Sequence, residues 1–223
     1  MKGKIKAILF DLDGTIIDTA PEMVQILYEM LKLYKHPLPS YKLARSYVSK
    51  GSFKLIQLGF PNKSNENLHE LQRQYLELYA SKNCADSKFF PNIHELLLLL
   101  TKKNIPWGIV TNKPKQTAAP LVKKLDIVNK AACIIFGDTL SLRKPNSAQL
   151  ILASKKMSIS TDEIVYIGDA LNDIKAGKSA GMYTILAGYG YIEDDKDLKS
   201  WNADSIVFHT SDLTKKIFNL LNR

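Results

Sequence analysis

The chain has 223 residues, of which 45% are hydrophobic and 24% are charged. This composition fits one large domain, or a core domain with an insert, and excludes disordered, collagen-like and coiled-coil proteins. The formal net charge is +9, with 27 lysines against 4 arginines. Because arginine is the usual reader of bases and phosphates, dispersed lysines favour a solvated surface or an anionic substrate over nucleic-acid binding.

The cysteine content and the lengths of the hydrophobic runs indicate the cellular compartment in which the protein works. Cys84 and Cys133 are far apart and form no CxxC motif, which excludes a disulfide scaffold and favours a reducing cytosol. The apolar run 7–10 behind the N-terminal lysines is too short for a signal peptide. No window approaches the roughly 18 apolar residues of a membrane span. We therefore expect a soluble, cytoplasmic protein without a membrane partner.

The first predicted element is a buried strand. Residues 5–10, with the sequence IKAILF, form a continuous apolar run, which is typical of a central parallel strand covered on both faces. The run ends in DLDGT at 11–15, where Gly14 permits a sharp turn. The pattern therefore predicts that polar side chains follow the strand directly.

A helical stretch follows and continues to about residue 85. Thr19 and Glu22 predict a capping box for a helix that runs to about Tyr34. The further helices predicted in this stretch cover 41–50, 53–59 and 66–81. Because no strand is indicated here, we interpret the stretch as a helical insert.

Beyond Pro91 the pattern alternates between helix and strand. The predicted strands are 105–110, 132–136, 163–167, 183–187 and 205–208. The predicted helices are 92–103, 115–125, 146–157, 173–180 and 212–221. Such alternation indicates an α/β fold with a doubly wound parallel sheet, which binds ligands beyond the carboxyl ends of its strands. The predicted domains are a core of 1–18 plus 87–223 and an all-helical cap of 19–86.

Reactive side chains gather at the predicted strand ends. They are Asp11, Asp13, Thr111, Lys144, Asp169 and Asp173. Several carboxylates at one point repel each other and need a cation, and an all-oxygen set suits Mg²⁺. The four histidines are scattered and form no HExxH motif, which argues against zinc.

The same residue types can transfer a phosphoryl group. A carboxylate can attack phosphorus to give an aspartyl-phosphate, and a second carboxyl can protonate the leaving oxygen and then activate water. Thr111 and Lys144 would hold the phosphoryl oxygens while charge redistributes. The set of residues therefore fills every role of a phosphoryl-transfer site.

Four motifs resemble those of the haloacid dehalogenase superfamily of phosphatases, in the right order and spacing. They are DLDGT at 11–15, Thr111–Asn112, Lys144–Pro145 and GDALND at 168–173. The resemblance implies that Asp11 is the nucleophile and Asp13 the general acid/base. It also implies that Asp11, the backbone carbonyl of Asp13, and Asp169 ligate Mg²⁺, while Asp173 supports the metal. The residues implied to bind phosphate are Thr111, Asn112 and Lys144.

A finer resemblance concerns the branch of the superfamily. Residues 137–145 and 187–204 look like those of bacterial phosphoglycolate phosphatases and of the related N-acetylmuramic acid 6-phosphate phosphatases, and the insert resembles their helical cap. Arg45 and the Ser49–x–Gly51 pair lie where such enzymes carry an arginine and a serine–x–glycine. We expect the cap cations Arg45 and Lys54 to read an acidic group of a small anionic phosphate ester, bound by a monomer or homodimer.

The resemblance favours a Mg²⁺-dependent phosphatase that converts 2-phosphoglycolate to glycolate and phosphate. N-acetylmuramic acid 6-phosphate is an alternative substrate, and a sugar-phosphate mutase is an alternative activity. A non-catalytic nucleic-acid-binding module is suggested only by the net charge. The Asp11–Asp13 pair argues against it, because a pure binder has no use for such a repulsive cluster.

Overall fold

A computed structural model describes residues 3–82, 86–127, 129–193 and 197–222. Its strands, in chain order, are β1 (Ala7–Phe10), β2 (Ile17–Asp18), β3 (Lys88–Phe89), β4 (Trp107–Val110), β5 (Cys133–Ile135), β6 (Ile164–Gly168), β7 (Tyr183–Ala187) and β8 (Ser205–Val207). Its α-helices are α1 (Ala20–Leu33), α2 (Tyr41–Val48), α3 (Ser52–Gly59), α4 (Asn65–Ser81), α5 (Ile93–Lys102), α6 (Lys115–Lys124), α7 (Ala148–Met157), α8 (Leu171–Ser179) and α9 (Thr210–Leu221). Short 3-10 helices cover Thr161–Glu163 and Leu198–Trp201.

Six strands form one parallel sheet in the order β5-β4-β1-β6-β7-β8. Strand β1 is central because β4 and β6 pair with it on either side. The order steps outward in both directions from β1, as expected of a doubly wound sheet. The predicted α/β fold class is confirmed.

Helices cover both faces of this sheet. Ile8 and Phe10 belong to the apolar cluster that contains Leu96 of α5, whereas Leu9 belongs to the cluster that contains Leu150 of α7. Successive side chains of a strand point to opposite faces, so β1 must be apolar at every position. This requirement explains the unbroken apolar run at the start of the chain.

The helices α1 to α4 occupy the stretch between β2 and β3. Their apolar side chains, such as Leu27 and Ile56, belong to the same cluster as Phe10 of the sheet. Strands β2 and β3 pair antiparallel, with Ile17 opposite Phe89. This pair was not predicted, because two residues are too few to show a strand pattern. The division into a core of 1–18 plus 87–223 and a cap of 19–86 stays a prediction about folding units.

The predicted capping box at the start of α1 is wrong. The Thr19 side chain makes no cap bond but donates from Oγ1 to Asp13 Oδ1 at 2.6 Å. Glu22 is buried and accepts a bond from Ser87 Oγ at 2.7 Å. Tertiary partners therefore replace the local cap that the sequence pattern suggests.

Two further features bear on the expectations from composition. Cys133 is buried and free, and Cys84 lies outside the described residues. Among the described helices, none has the length and apolar character needed to cross a membrane.

Candidate active site

The predicted strand-end residues meet at one edge of the sheet. Asp11 follows β1 and donates its backbone N–H to Ile167 O of the neighbouring β6 at 2.8 Å. Thr111 follows β4, and Asp169 follows β6. Because these three strands are adjacent and parallel, their carboxyl ends deliver the side chains to a common point.

Lys144 is buried and lies between the side chains of Asp11 and Asp173. Its Nζ lies within hydrogen-bond distance of four oxygens and has three N–H groups to donate: Asp11 Oδ1 at 2.8 Å, Asp173 Oδ1 at 2.7 Å, Tyr166 Oη at 2.9 Å and Val110 O at 3.0 Å. Burial alone would lower the pKa of Lys144, but the two carboxylates outweigh it and hold the pKa above its ordinary value. Lys144 therefore stays protonated and ties the carboxylates together. The sequence analysis did not identify Tyr166 as a site residue, because it lies within an apolar strand whose pattern predicts only a buried core position.

Asn112 fixes the backbone of Lys144. Its Nδ2 donates to Lys144 O at 3.0 Å, and its Oδ1 accepts from Lys144 N at 3.1 Å. This two-point clamp joins the loop after β4 to the loop that carries the lysine. The amide side chain therefore positions Lys144, and the phosphate contact implied for Asn112 stays a prediction. Thr111 Oγ1 accepts a bond from Lys113 N at 3.1 Å and lines the same cavity as Asp11.

Three buried carboxylates could hold a metal ion. One carboxylate oxygen each of Asp11, Asp169 and Asp173 lies within 4.8 Å of the others. Asp169 Oδ2 accepts from Tyr191 N at 2.9 Å, whereas the buried Oδ1 lacks a hydrogen-bond partner within the described residues. Burial, followed by Asp173 and Asp11, raises the pKa of Asp169 well above its ordinary value. A bound cation would satisfy the orphaned oxygen and, by favouring the anionic carboxylate, would oppose this rise in the pKa.

Asp173 differs from Asp169 in its partners. Its Oδ1 accepts from Lys144 and Tyr166, and its Oδ2 accepts from Ala170 N at 3.0 Å. Protein donors therefore satisfy both oxygens of Asp173. This difference fits direct ligation of a cation by Asp169 and support from Asp173.

Gly14 allows the turn after β1 to approach Asp169. Its φ is +81°, a left-handed value that favours glycine. A Cβ atom at this position would lie 2.2 Å from Asp169 Oδ2. The glycine of the DLDGT motif is therefore required both by its backbone conformation and by the space beside Asp169.

Burial also shapes the nucleophile candidate. It raises the pKa of Asp11 to about 7 against the opposing effect of Lys144, and the Asp173 carboxylate adds to the rise. A carboxyl with such a pKa is partly protonated at neutral pH in the metal-free protein. A cation beside it would restore the anionic form.

Asp13 lies beside the three carboxylates but has different partners. Its Oδ1 accepts from Lys113 Nζ at 2.8 Å and from Thr19 Oγ1 at 2.6 Å. Lys113 Nζ also donates to Tyr79 Oη of α4 at 3.0 Å. Sequence reasoning missed Lys113 and Tyr79, although Lys113 directly follows Thr111–Asn112 and so had to lie near the strand ends.

A cavity of about 320 Å³ lies between the strand ends and the helices α3 and α4. Asp11, Asp13 and Thr111 line it from the sheet side. The helical side contributes aromatic and neutral polar side chains, namely Ser49, Ser52, Phe53, Gln72, Tyr75 and Tyr79. The cations at its wall are Lys50, Lys113 and Arg143. The cavity therefore has charged groups of both signs at the strand ends and mainly aromatic and neutral polar groups on the helical side.

The structure brings neither Arg45 nor Lys54 to this cavity. Arg45 Nη1 donates to both carboxylate oxygens of Asp18, at 2.8 and 2.9 Å, and its guanidinium lies 4.8 Å from the centre of the Tyr191 ring. Lys54 is exposed and donates to Gln57 Oε1 at 2.9 Å. Arg45 neutralises the Asp18 carboxylate at the base of the helical block, which consists of α1 to α4, so this position does not support the predicted contact of Arg45 with substrate.

Comparisons with known proteins agree with this geometry. A family model of haloacid dehalogenase-like hydrolases matches residues 8–187. An N-acetylmuramic acid 6-phosphate phosphatase of Pseudomonas putida is 34% identical over 219 residues, which cover 98% of both chains. A phosphoglycolate phosphatase of Xanthomonas campestris pv. campestris is 35% identical over 204 residues, or 91% of both chains. A solved structure described as a predicted phosphoglycolate phosphatase from Haemophilus somnus 129pt is 25% identical and covers 97% of this chain and 100% of its own, with a TM-score of 0.85.

Proposed function

This chain belongs to the haloacid dehalogenase-like hydrolase family, and we propose that it releases phosphate from a small anionic phosphomonoester through an aspartyl-phosphate on Asp11. The family and the phosphatases similar to this chain make it a phosphoric monoester hydrolase. One observation carries the mechanism: Asp11 lines the cavity while Lys144 holds its carboxylate at 2.8 Å, beside two further buried carboxylates.

In the first step an Asp11 carboxylate oxygen attacks the phosphorus atom. The bond between phosphorus and the leaving oxygen breaks, and Asp13 gives its proton to that oxygen. Asp13 suits this role because it lines the same cavity without belonging to the Asp11–Asp169–Asp173 cluster. The products of the step are an alcohol and a phosphorylated Asp11.

In the second step water attacks the phosphorus atom of the aspartyl-phosphate. Asp13, now a carboxylate, accepts the proton of that water, and the bond between phosphorus and Asp11 breaks. Inorganic phosphate leaves and both carboxyl groups return to their starting states. In both steps the Thr111 hydroxyl would donate a hydrogen bond to a phosphoryl oxygen, and Lys144 would neutralise part of the charge on these oxygens.

The buried carboxylates fit a divalent cation, and Mg²⁺ is the one we propose. The fit rests on the orphaned Oδ1 of Asp169 and on an all-oxygen donor set. Asp11, Asp169 and the backbone carbonyl of Asp13 would hold the ion, and Asp173 would support it. When bound, Mg²⁺ would withdraw negative charge from the phosphoryl group.

Helices α3 and α4 form the far wall of the cavity and would exclude bulk water from the reaction. The strand-end residues can recognise only the phosphoryl group, which every substrate of this class carries. Selection among substrates therefore falls to the far wall and to the cations Lys50 and Arg143 beside it. These cations favour an ester with an additional acidic group, such as 2-phosphoglycolate.

N-acetylmuramic acid 6-phosphate is a second candidate substrate. A volume of about 320 Å³ exceeds the needs of a two-carbon acid, and Ser52 and Gln72 offer neutral hydrogen-bonding groups beside the Phe53 ring. Such a mixture suits a sugar that also carries a carboxylate. The phosphatase of that name in Pseudomonas putida is as similar to this chain as the phosphoglycolate phosphatases are.

A panel of phosphate esters tests the proposal. The purified protein is assayed for phosphate release with Mg²⁺ on 2-phosphoglycolate, N-acetylmuramic acid 6-phosphate, hexose phosphates and pyrophosphate. We expect kcat/KM to be highest for an acidic monoester and activity to disappear with a chelator. Conversion of a hexose 1-phosphate to its 6-phosphate without phosphate release would instead identify a mutase, and activity unaffected by a chelator would exclude the metal.

A further inference from the structure

We propose that Lys113 and Tyr79 form a positioning pair that orients the Asp13 carboxyl group for proton transfer to the leaving oxygen. The inference rests on the proposed function, since it assigns Asp13 the role of general acid. Neither residue belongs to the motifs through which the sequence pointed to this chemistry.

The geometry around Lys113 leaves its ammonium group little freedom. Its side chain is 9% exposed, and Nζ lies 2.8 Å from Asp13 Oδ1 and 3.0 Å from Tyr79 Oη. The same nitrogen lies 4.6 Å from the centre of the Tyr79 ring, within the range of a cation–π contact. The ammonium is therefore held between one carboxylate and one tyrosine.

The contacts of Asp13 fall on one of its two oxygens. Lys113 Nζ and Thr19 Oγ1 both donate to Oδ1, at 2.8 and 2.6 Å. Within the described residues this leaves Oδ2 as the oxygen for proton transfer, and Asp13 lines the cavity in which the ester must lie. Charge-assisted bonds of this length fix the plane of a carboxyl group more firmly than neutral ones.

The pair also joins the helical block to the strand ends. Tyr79 lies in the last turn of α4, is 2% exposed and stacks 6.5 Å from the Tyr75 ring, whereas Lys113 lies in the loop after β4. A bond of 3.0 Å between them exists only while α4 covers the strand ends. Asp13 is thus fully oriented only when the block closes the cavity, which limits proton transfer to the water-excluded state.

A leaving-group comparison tests this inference without relying on the identity of the natural substrate. Benzyl phosphate releases an alkoxide that needs a proton, whereas 4-nitrophenyl phosphate, of similar size, releases a stable phenolate that does not. The ratio kcat/KM reports the step in which the ester bond breaks. A residue that merely stabilises the fold would lower both values equally.

Tyr79→Phe removes one hydroxyl, and Lys113→Met removes the charge. With Mg²⁺ we expect kcat/KM for benzyl phosphate to fall by about 10-fold in Tyr79→Phe and about 100-fold in Lys113→Met. The value for 4-nitrophenyl phosphate should stay within about 3-fold, and Lys113→Arg should recover part of the loss. Tyr28→Phe is the matched control, because its hydroxyl bonds to Pro39 O inside the block at 2.7 Å. If Lys113→Met fails to fold because Asp13 loses its partner, Tyr79→Phe carries the test.

Two results would contradict the proposed role of Lys113 and Tyr79. One is an equal loss of kcat/KM for both esters, which would show that the two residues have a structural role. The other is a loss confined to 2-phosphoglycolate, with benzyl phosphate unaffected, which would mean that Lys113 reads the acidic group of the substrate. Failure of the unaltered protein to hydrolyse either ester, 2-phosphoglycolate or N-acetylmuramic acid 6-phosphate would overturn the proposed function itself, a result distinct from both.

Discussion

The strand ends and the helical block face the same cavity with different kinds of side chain. At the strand ends, Lys144, Asp11 and Asp173 are locked to each other by charge-assisted bonds of 2.7 to 2.8 Å. On the side of the block, Gln72 and Ser52 share one neutral bond of 2.9 Å among aromatic rings. Fixed charge suits the phosphoryl group that all substrates share, and neutral groups that can change partners suit the part that varies.

The largest effect is expected from a substitution at the strand ends that removes the charge of Asp11. Asp11→Asn keeps the shape of the side chain but removes the anion that attacks phosphorus. We expect kcat to fall by at least about 1,000-fold, or ~4 kcal/mol of barrier, while the circular dichroism spectrum is unchanged. Asp126→Asn is the control, since that carboxylate is exposed and pairs with Lys130 at 2.9 Å. Near-native turnover of Asp11→Asn would remove Asp11 from its role.

The second effect tests whether Asp169 is a metal ligand. Asp169→Asn weakens the carboxylate set, so the Mg²⁺ concentration for half-maximal activity should rise by at least about 10-fold. In metal-free buffer the same variant should melt at a higher temperature, because repulsion with Asp11 and Asp173 is relieved. Metal titration of activity and calorimetry without metal measure the two effects. An unchanged Mg²⁺ requirement would contradict the ligand assignment.

The third effect concerns pH and the metal-free protein. Burial raises the pKa of Asp11 from 3.8 to about 7, so the folded state retains a proton that the unfolded chain releases. The resulting stability is fully present below about pH 4 and is lost as the pH rises through about 7. We expect the melting temperature to be higher at pH 5.5 than at pH 7.5, by about 5 °C or more.

Two measurements check the origin of this pH dependence. Asp11→Asn cannot release the proton, so its melting temperature should change less between the two pH values. Addition of Mg²⁺ at pH 7.5 should restore most of the lost stability, since the cation compensates the ionised carboxylates. A melting temperature that rises from pH 5.5 to 7.5 in the metal-free protein would contradict a raised pKa of Asp11.

The smallest effect is expected from a substitution in the helical wall of the cavity, which tests its role in selecting the substrate. Gln72→Leu removes a neutral hydrogen-bonding group from the cavity wall but leaves the strand ends intact. We expect the ratio of kcat/KM for N-acetylmuramic acid 6-phosphate to that for 2-phosphoglycolate to fall by about 5-fold. Gln74→Leu lies in the same helix, bonds to Glu70 at the surface and should leave the ratio unchanged. An equal loss of both activities in Gln72→Leu would assign that residue to the fold rather than to selection.

The two regions also differ in how far the sequence could predict them. Asp11, Thr111 and Asp169 each follow an apolar run directly, and parallel strands must deliver such residues to one edge. In the helical block, the spacing of the apolar residues predicts which face of each helix is buried. It does not predict which polar side chains face the cavity. Arg45 and Lys54 were therefore expected at the cavity, whereas the structure has Lys50 and Gln72 there.

A second limit concerns residues whose partners are distant in sequence. Lys113 is one of 27 lysines, and although its position after Thr111–Asn112 places it near the strand ends, only the folded chain shows its contacts with Asp13 and Tyr79. The Thr19–Glu22 pattern fits a capping box, yet Asp13 and Ser87 take the two side chains instead. Sequence patterns report local geometry, and these assignments depend on contacts that only the folded chain creates.

The short pairing of β2 with β3 has a consequence for how such proteins diversify. Ile17 lies opposite Phe89, and paired residues of antiparallel strands have Cα atoms about 5 Å apart. The segment between them therefore leaves and re-enters the sheet domain through almost the same point, as grafted modules do. A chimera that replaces 19–87 with another helical module needs ends of that spacing and side chains that take over the contacts of Thr19 and Tyr79. Specificity could then be exchanged by recombination without disturbing Asp11 or Lys144.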